Sequence, residues 1–345
     1  MYSACLLKKN TEDVKTFHEF PSLHTELMNM NAWSFVLAAT TLVIVPLVVR
    51  HIQRASRQLL RAPCGCRLIV KLGGSAITDK SSFETLDKPA LESTASALAH
   101  SRWARSMVLL HGAGSFGHFQ ASQYGVSKGA SDPRFSWLGF AETRSSVTRL
   151  NSLVVSAMLR ASLPACGLPL FPRWTTRAKK LQQDGIPEVC ELLRAGIVPV
   201  LHGDAVLDSE QGSAVLSGDA LVVALCQALR PERVVFLTNV AGVYDRPPDQ
   251  PGARLLSRIV FDRSTYGVRE LFFRSESGAS ERLTGGLATS TAAHDVTGGL
   301  AAKLEAAAKC AAYGTPVYIV QVGTEDATAA LTGETPRVYT LIEAH

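Results

Sequence analysis

The sequence predicts an α/β fold: a three-layer α/β/α sandwich around a mainly parallel, open sheet. Three observations carry this. From Arg67 onward, short apolar runs alternate with longer amphipathic ones, the pattern of strands joined by crossover helices. The runs ending at Leu72, Leu110, Leu201 and Leu237 each lead into a turn of small or polar residues, where such sheets bind ligands. The chain has 345 residues, 46% hydrophobic and 19% charged, enough for a large core in one or two domains.

The first 66 residues stand apart as an N-terminal extension. Residues 32–49 carry no charge, and eighteen helical residues span roughly 27 Å, close to a bilayer core. Arg50, Arg54, Arg57 and Arg61 follow, while Glu12, Asp13, Glu19 and Glu26 precede. This charge order predicts a membrane anchor whose C-terminal side faces the cytosol, with the catalytic part cytoplasmic. The segment lacks the basic start and small-residue cleavage site of a signal peptide. A mitochondrial presequence, from the Arg/Ser-rich stretch 50–61, is the alternative.

Residues 67–345 form the second unit. Leu68 to Leu72 is a strand, Leu91 to Ala99 a helix, and Met107 to Leu110 a strand. Glu142 to Ala161 is a long helix, with apolar residues at Val147, Leu150, Val154, Ala157, Met158 and Ala161. Ile197 to Leu201 is a strand, Asp219 to Leu229 a helix, and Val234 to Leu237 a strand. Val296 to Tyr313 is an Ala-rich helix, and Val317 to Val320 a strand. Arg246 to Gly252 reads as a loop, and Arg274 to Gly286, rich in Ser, Thr and Gly, as an irregular segment.

The net charge of +5 is mild and comes without a long basic block in the second half, which disfavours a nucleic-acid partner. The seven cysteines are scattered and lack a CxxC or Cys/His ligand pattern, so free thiols are expected rather than a disulfide or zinc framework.

The chemistry lies at strand ends and helix starts. Lys71-Leu72-Gly73-Gly74-Ser75 combines a point charge with a turn whose backbone can approach phosphate; it is not a Walker loop. Lys80 follows in Thr78-Asp79-Lys80. His111-Gly112-Ala113-Gly114-Ser115-Phe116-Gly117-His118 is a second such turn, with a histidine beyond it that can recognise another anion. His202-Gly203-Asp204 ends a third strand, and Ser217-Gly218-Asp219 opens a helix, where Ser217 or Asp219 can act as a cap. Thr238-Asn239-Val240-Ala241-Gly242-Val243-Tyr244-Asp245 leaves a strand, and Asp295-Val296-Thr297-Gly298-Gly299 enters the helix that bears Lys303.

In this order, the motifs resemble the amino acid kinase family, and more closely its isopentenyl phosphate kinases. The likeness runs from about Arg67 to the C-terminus, and the segment ending in His118 is its most discriminating element. Ala113 stands where the family often has a third consecutive glycine. The resemblance implies ATP with Mg²⁺, isopentenyl phosphate or a similar small alkyl phosphate as acceptor, and a homodimer. It implies that Lys71, Gly73, Gly74 and Ser75 hold the ATP phosphates and that Lys80 stabilises the transferring group. Ala113, Gly114 and His118 would hold the acceptor phosphate, with Gly114 shared with ATP. Gly203 would line the acceptor site, and Asp204 would orient the lysines. Asp219, Thr238, Asn239, Asp245, Gly299 and Lys303 would face the nucleotide.

Such equipment suits a phosphate acceptor. Two unit charges about 4 Å apart at an effective dielectric of about 20 repel by roughly 4 kcal/mol, so cations and N–H donors must flank the transferring group. The phosphate oxygen is already a nucleophile and needs no general base. A uridylate kinase, and a non-catalytic membrane-tethered nucleotide-binding module, are the rival readings.

Overall fold

The computed structural model describes residues 64–79, 81–275, 280–282 and 298–345. The main sheet contains strands β1 (Leu68–Leu72), β2 (Met107–His111), β3 (Ala165–Gly167), β4 (Val198–His202), β5 (Arg233–Thr238), β6 (Leu255–Phe261), β7 (Val268–Arg274), β8 (Ser280–Arg282), β9 (Val317–Gln321) and β10 (Thr340–Ala344). Their order across the sheet is β8-β7-β6-β10-β9-β5-β1-β2-β4-β3, with Val243–Tyr244 added alongside β6. From β9 to β3 every neighbouring pair is parallel. Beyond β9 the sheet is mostly antiparallel, so the parallel half is the one framed by crossover helices.

Helices α1 (Lys88–Ala99), α2 (Trp137–Arg160), α3 (Ile186–Arg194), α4 (Gly218–Leu229), α5 (Gly298–Ala312) and α6 (Glu325–Thr332) cover the sheet. The two-residue alternation of β1 divides them. Ile69 joins a core cluster with Val189 of α3, Leu225 of α4 and Ala307 of α5. Leu68, Val70 and Leu72 join another with Leu98 of α1, Val154 of α2 and Leu331 of α6. The two clusters are the two sides of the sheet, which gives the three layers.

The helices read from periodicity are present, with shifted ends. The long helix α2 begins at Trp137, five residues before the expected Glu142, because Ser136 caps it by accepting the Gly139 N–H at 3.0 Å. Its first turn, Trp137-Leu138-Gly139-Phe140-Ala141, is apolar all round and gives no helical period. The segment expected to be irregular from Arg274 contains the short strand β8, paired with β7. A second, four-stranded sheet of Thr175–Arg177, Lys180–Gln183, Asp204–Asp208 and Gly212–Leu216 was not anticipated; its strands are short and lack a clean apolar alternation. Among the described residues no helix is long and apolar enough to cross a membrane; the run 32–49 lies outside them.

Candidate active site

The glycine turns after β1 and β2 press backbone against backbone. A Cβ on Gly74 would fall 2.5 Å from the Gly114 amide nitrogen, and one on Gly112 would fall 2.8 Å from that of Gly74. Gly114 has φ +54, in the region that favours glycine. Thr78 fastens the two turns together: its hydroxyl donates to the Gly74 carbonyl at 2.7 Å and accepts the Ser115 N–H at 3.1 Å. Both turns open onto one cleft of about 610 Å³.

Lys71 enters this cleft from the α4 side of β1. It is buried, and its Nζ lies 2.8 Å from Asp219 Oδ1 in the first turn of α4. Gly218 gives the lysine room, since a Cβ there would sit 3.0 Å from Lys71 Cε. The Nζ also lies 5.5 Å from the centre of the Phe236 ring. Ser217 is the cap of α4, accepting the Ala220 N–H at 3.2 Å. The amino group is thus fixed over the small-residue turns rather than free in solvent.

At the other end, His118 begins the short helix His118–Gln123 and is exposed on the cleft wall. Ala121, Val147, Ala205 and Val215 line the cleft too. Ala121 and Ala205 belong to one hydrophobic cluster with Val126 and Phe140. Thr143 lines the cleft as well, its hydroxyl donating to the Gly139 carbonyl at 2.8 Å.

Asp204 belongs to this wall too, its side chain fully buried, and pairs with Arg144 of α2 at 3.2 Å. Burial pushes its carboxyl up to about 6, against the pull of Arg144 and of the Ala205 N–H. Two imidazoles sit nearby at matching ends of parallel strands, His111 of β2 and His202 of β4. They are fully buried and stacked, with centroids 5.4 Å apart. Burial lowers His111 to about 4 and His202 to about 3.

This arrangement can grip two anions in line. A buried lysine–aspartate pair and glycine turns stand at one end, and a histidine with an apolar recess stands at the other. A model of the amino acid kinase family matches residues 67–321. An isopentenyl phosphate kinase of Arabidopsis thaliana is 38% identical over 309 residues, spanning 78% of this chain and 91% of that protein. The chain belongs to the amino acid kinase family, in its isopentenyl phosphate kinase branch. The isopentenyl phosphate kinase of Methanothermobacter thermautotrophicus is 39% identical over 199 residues, 56% of this chain and 74% of that one. A crystal structure described as isopentenyl phosphate kinase matches with a TM-score of 0.64 at 32% identity, covering 80% of this chain and 99% of that one.

Set against the branch's motifs, the cleft gathers Lys71, Gly73, Gly74, Ser75, Ala113, Gly114, His118, Gly203, Asp204, Asp219, Thr238, Asn239 and Lys303. Lys80 lies outside the described residues. The flanking strands Thr78–Asp79 and Thr85–Leu86 pair with each other; Glu84 accepts from Ser146 at 2.5 Å and from Arg149, and the Thr85 N–H reaches Ser115 Oγ at 3.2 Å. Gly299 falls in the first turn of α5. Asp245 is off the wall, its carboxylate occupied by the Arg254 N–H at 2.9 Å and by the side chains of Arg254 and Arg246. Buttressing the loop after Val243–Tyr244 is the work this geometry gives it. The expectation that Asp204 orients the lysines is corrected for Lys71: the carboxylate on that amino group is Asp219, and Asp204 holds Arg144. Sequence reasoning missed Thr78 and Arg144. Thr78 carried no signal beyond its neighbours, and Arg144 is one polar residue in a long helix.

Proposed function

We propose that this chain transfers the γ-phosphoryl group of ATP to the phosphate of isopentenyl phosphate, giving isopentenyl diphosphate and ADP. The observation that carries the reading is the polarity of the cleft. Its lysine–aspartate end suits a nucleotide triphosphate, and its far wall of Ala121, Val147, Ala205 and Val215 suits a short hydrocarbon tail. A nucleobase acceptor would need several hydrogen-bonding partners on that far wall, which Ala121, Val147, Ala205 and Val215 leave largely apolar.

In this reading Lys71 and the Gly73-Gly74-Ser75 turn hold the ATP phosphates. Lys80 neutralises the transferring group, and Lys303 with Thr238 and Asn239 faces the nucleotide. Ala113, Gly114 and His118 hold the acceptor phosphate beside Gly203. One acceptor oxygen attacks the γ-phosphorus as the bond to the β-phosphate oxygen breaks, and that oxygen leaves as ADP. The protein contributes alignment and charge neutralisation.

Mg²⁺ belongs to this reading as a companion of the nucleotide. Among the described residues no group of three or more His, Cys, Asp or Glu could cage a metal. The ion would be carried on phosphate oxygens and water, with Asp219 a cleft carboxylate beside Lys71. When bound, it supplies neutralisation of the β- and γ-phosphate charge.

Residues 67–345 carry this chemistry, and residues 1–66 are an added segment with a membrane-anchor sequence at 32–49. Steady-state assay of the His118→Gln variant tests the acceptor half: KM for isopentenyl phosphate rises about tenfold or more and kcat falls, while KM for ATP holds, as for loss of one charged hydrogen bond. Unchanged kinetics would remove His118 from the acceptor site.

A further inference from the structure

The His111–His202 pair is too buried to touch substrate, yet it ends the two strands that deliver turns to the cleft. His111 Nδ1 lies 3.0 Å from the carbonyl oxygen of the next residue, Gly112, and His202 Nδ1 lies 3.1 Å from that of Gly203. A carbonyl can only accept, so both rings carry their proton on Nδ1. His111 Nε2 must then accept. Its neighbour is the Asn151 side-chain amide on α2, placed with Oδ1 at 3.2 Å; the oxygen and nitrogen of an amide exchange by a half-turn, and the half-turned amide gives Nε2 the NH₂ group it needs. Stacking on His202 confines the His111 ring from its face. The His111 carbonyl in turn accepts the Gly203 N–H at 3.1 Å.

The consequence lies across the peptide plane. In a trans peptide the C=O and the following N–H point opposite ways. With the Gly112 carbonyl held against His111, the Ala113 N–H is turned the other way, and Ala113 lines the cleft. Among the described residues the Ala113 N–H has no acceptor.

We propose that His111 is a positioning residue for the acceptor phosphate: as its Nδ1–H tautomer, locked by Asn151 and stacked on His202, it holds the Gly112–Ala113 peptide so that the Ala113 N–H faces the phosphate. This rests on the kinase reading above. The substrate class it serves is any small phosphate monoester seated beside Ala113.

The test uses two near-isosteres in the full-length protein. The amide nitrogen of Asn overlays Nδ1 of histidine, and that of Gln overlays Nε2. H111Q therefore loses the donor to Gly112 and H111N keeps it. H111Q is expected to raise KM for isopentenyl phosphate about tenfold, the scale of one hydrogen bond to a charged group, while KM for ATP stays within about twofold; H111N recovers most of the loss. Equal effects of H111Q and H111N, an unchanged acceptor KM in H111Q, or an ATP KM that moves as far as the acceptor's would each overturn the proposal. A measurement on the wild type stands beside these should either variant fail to fold. ¹⁵N spectra of histidine-labelled protein must show the Nδ1-protonated tautomer for His111, and an Nε2-protonated ring overturns it. Wild-type turnover of isopentenyl phosphate with ATP is measured first. Its absence counts against the kinase reading and leaves the tautomer to judge His111.

Discussion

At the scale of single residues, the site depends on what two positions cannot tolerate. Lys71 is a buried cation that pairs with Asp219 at 2.8 Å. Lys71→Met keeps most of the stem and removes the charge, leaving a carboxylate nearly buried without a partner. The expected result is a fall in kcat of about a hundredfold or more, with a stability loss of about 3 kcal/mol from the broken pair, read by steady-state kinetics and urea unfolding. Gly114→Ala would place a Cβ 2.1 Å from Thr78 Oγ1 at a φ of +54. It should cost about 1–3 kcal/mol and abolish turnover by parting the two turns. Both residues were legible in the sequence because strand-end glycines and lysines form a pattern of their own. Arg144 was not. Its meaning comes from Asp204, sixty residues away in sequence, and only folding brings α2 against that strand.

At the scale of elements, the ends of the parallel strands concentrate buried ionisable groups, and these set the pH response. His111 and His202 are lowered to about 4 and 3 by burial. Between pH 6.5 and 4 the unfolded chain protonates these imidazoles and the folded chain does not, so acid favours unfolding. Their contribution is complete above pH 6.5 and is lost as pH falls through their folded values. Asp204, raised to about 6, works the other way. Its contribution is complete below about pH 4 and disappears as pH rises through 6. The histidines are two against one, so Tm measured by calorimetry should decline from pH 6.5 to 4. Asp204→Asn should steepen that decline, because it removes the opposing group. Elements with a strong period were legible: the apolar face of α2 from Val147 to Met158 announces itself, and so do β1, β2 and β5. The four-stranded sheet was not, since strands such as Lys180–Gln183 are exposed throughout and carry no hydrophobic signal.

At the scale of the whole molecule, one long cleft joins a nucleotide end to an apolar end across the carboxyl edge of the parallel strands. Which half of that cleft each residue serves was legible only through the order of motifs. The apolar wall draws single residues from α2, the helix His118–Gln123 and two strands of the small sheet, and no local pattern links them. The N-terminal 66 residues add a separate prediction. Fractionation of the full chain and of the chain without residues 1–66 should place only the former with membranes, and light scattering of the shortened chain should give the mass of a homodimer. The central claim is the acceptor. The most direct test offers the purified full-length protein labelled ATP with isopentenyl phosphate, uridine monophosphate and glutamate in parallel, and follows label transfer. Rapid labelling of isopentenyl phosphate is expected, with kcat/KM at least about a hundredfold above either competitor. Preferential labelling of the nucleotide, or ATP binding without transfer to isopentenyl phosphate, would contradict it.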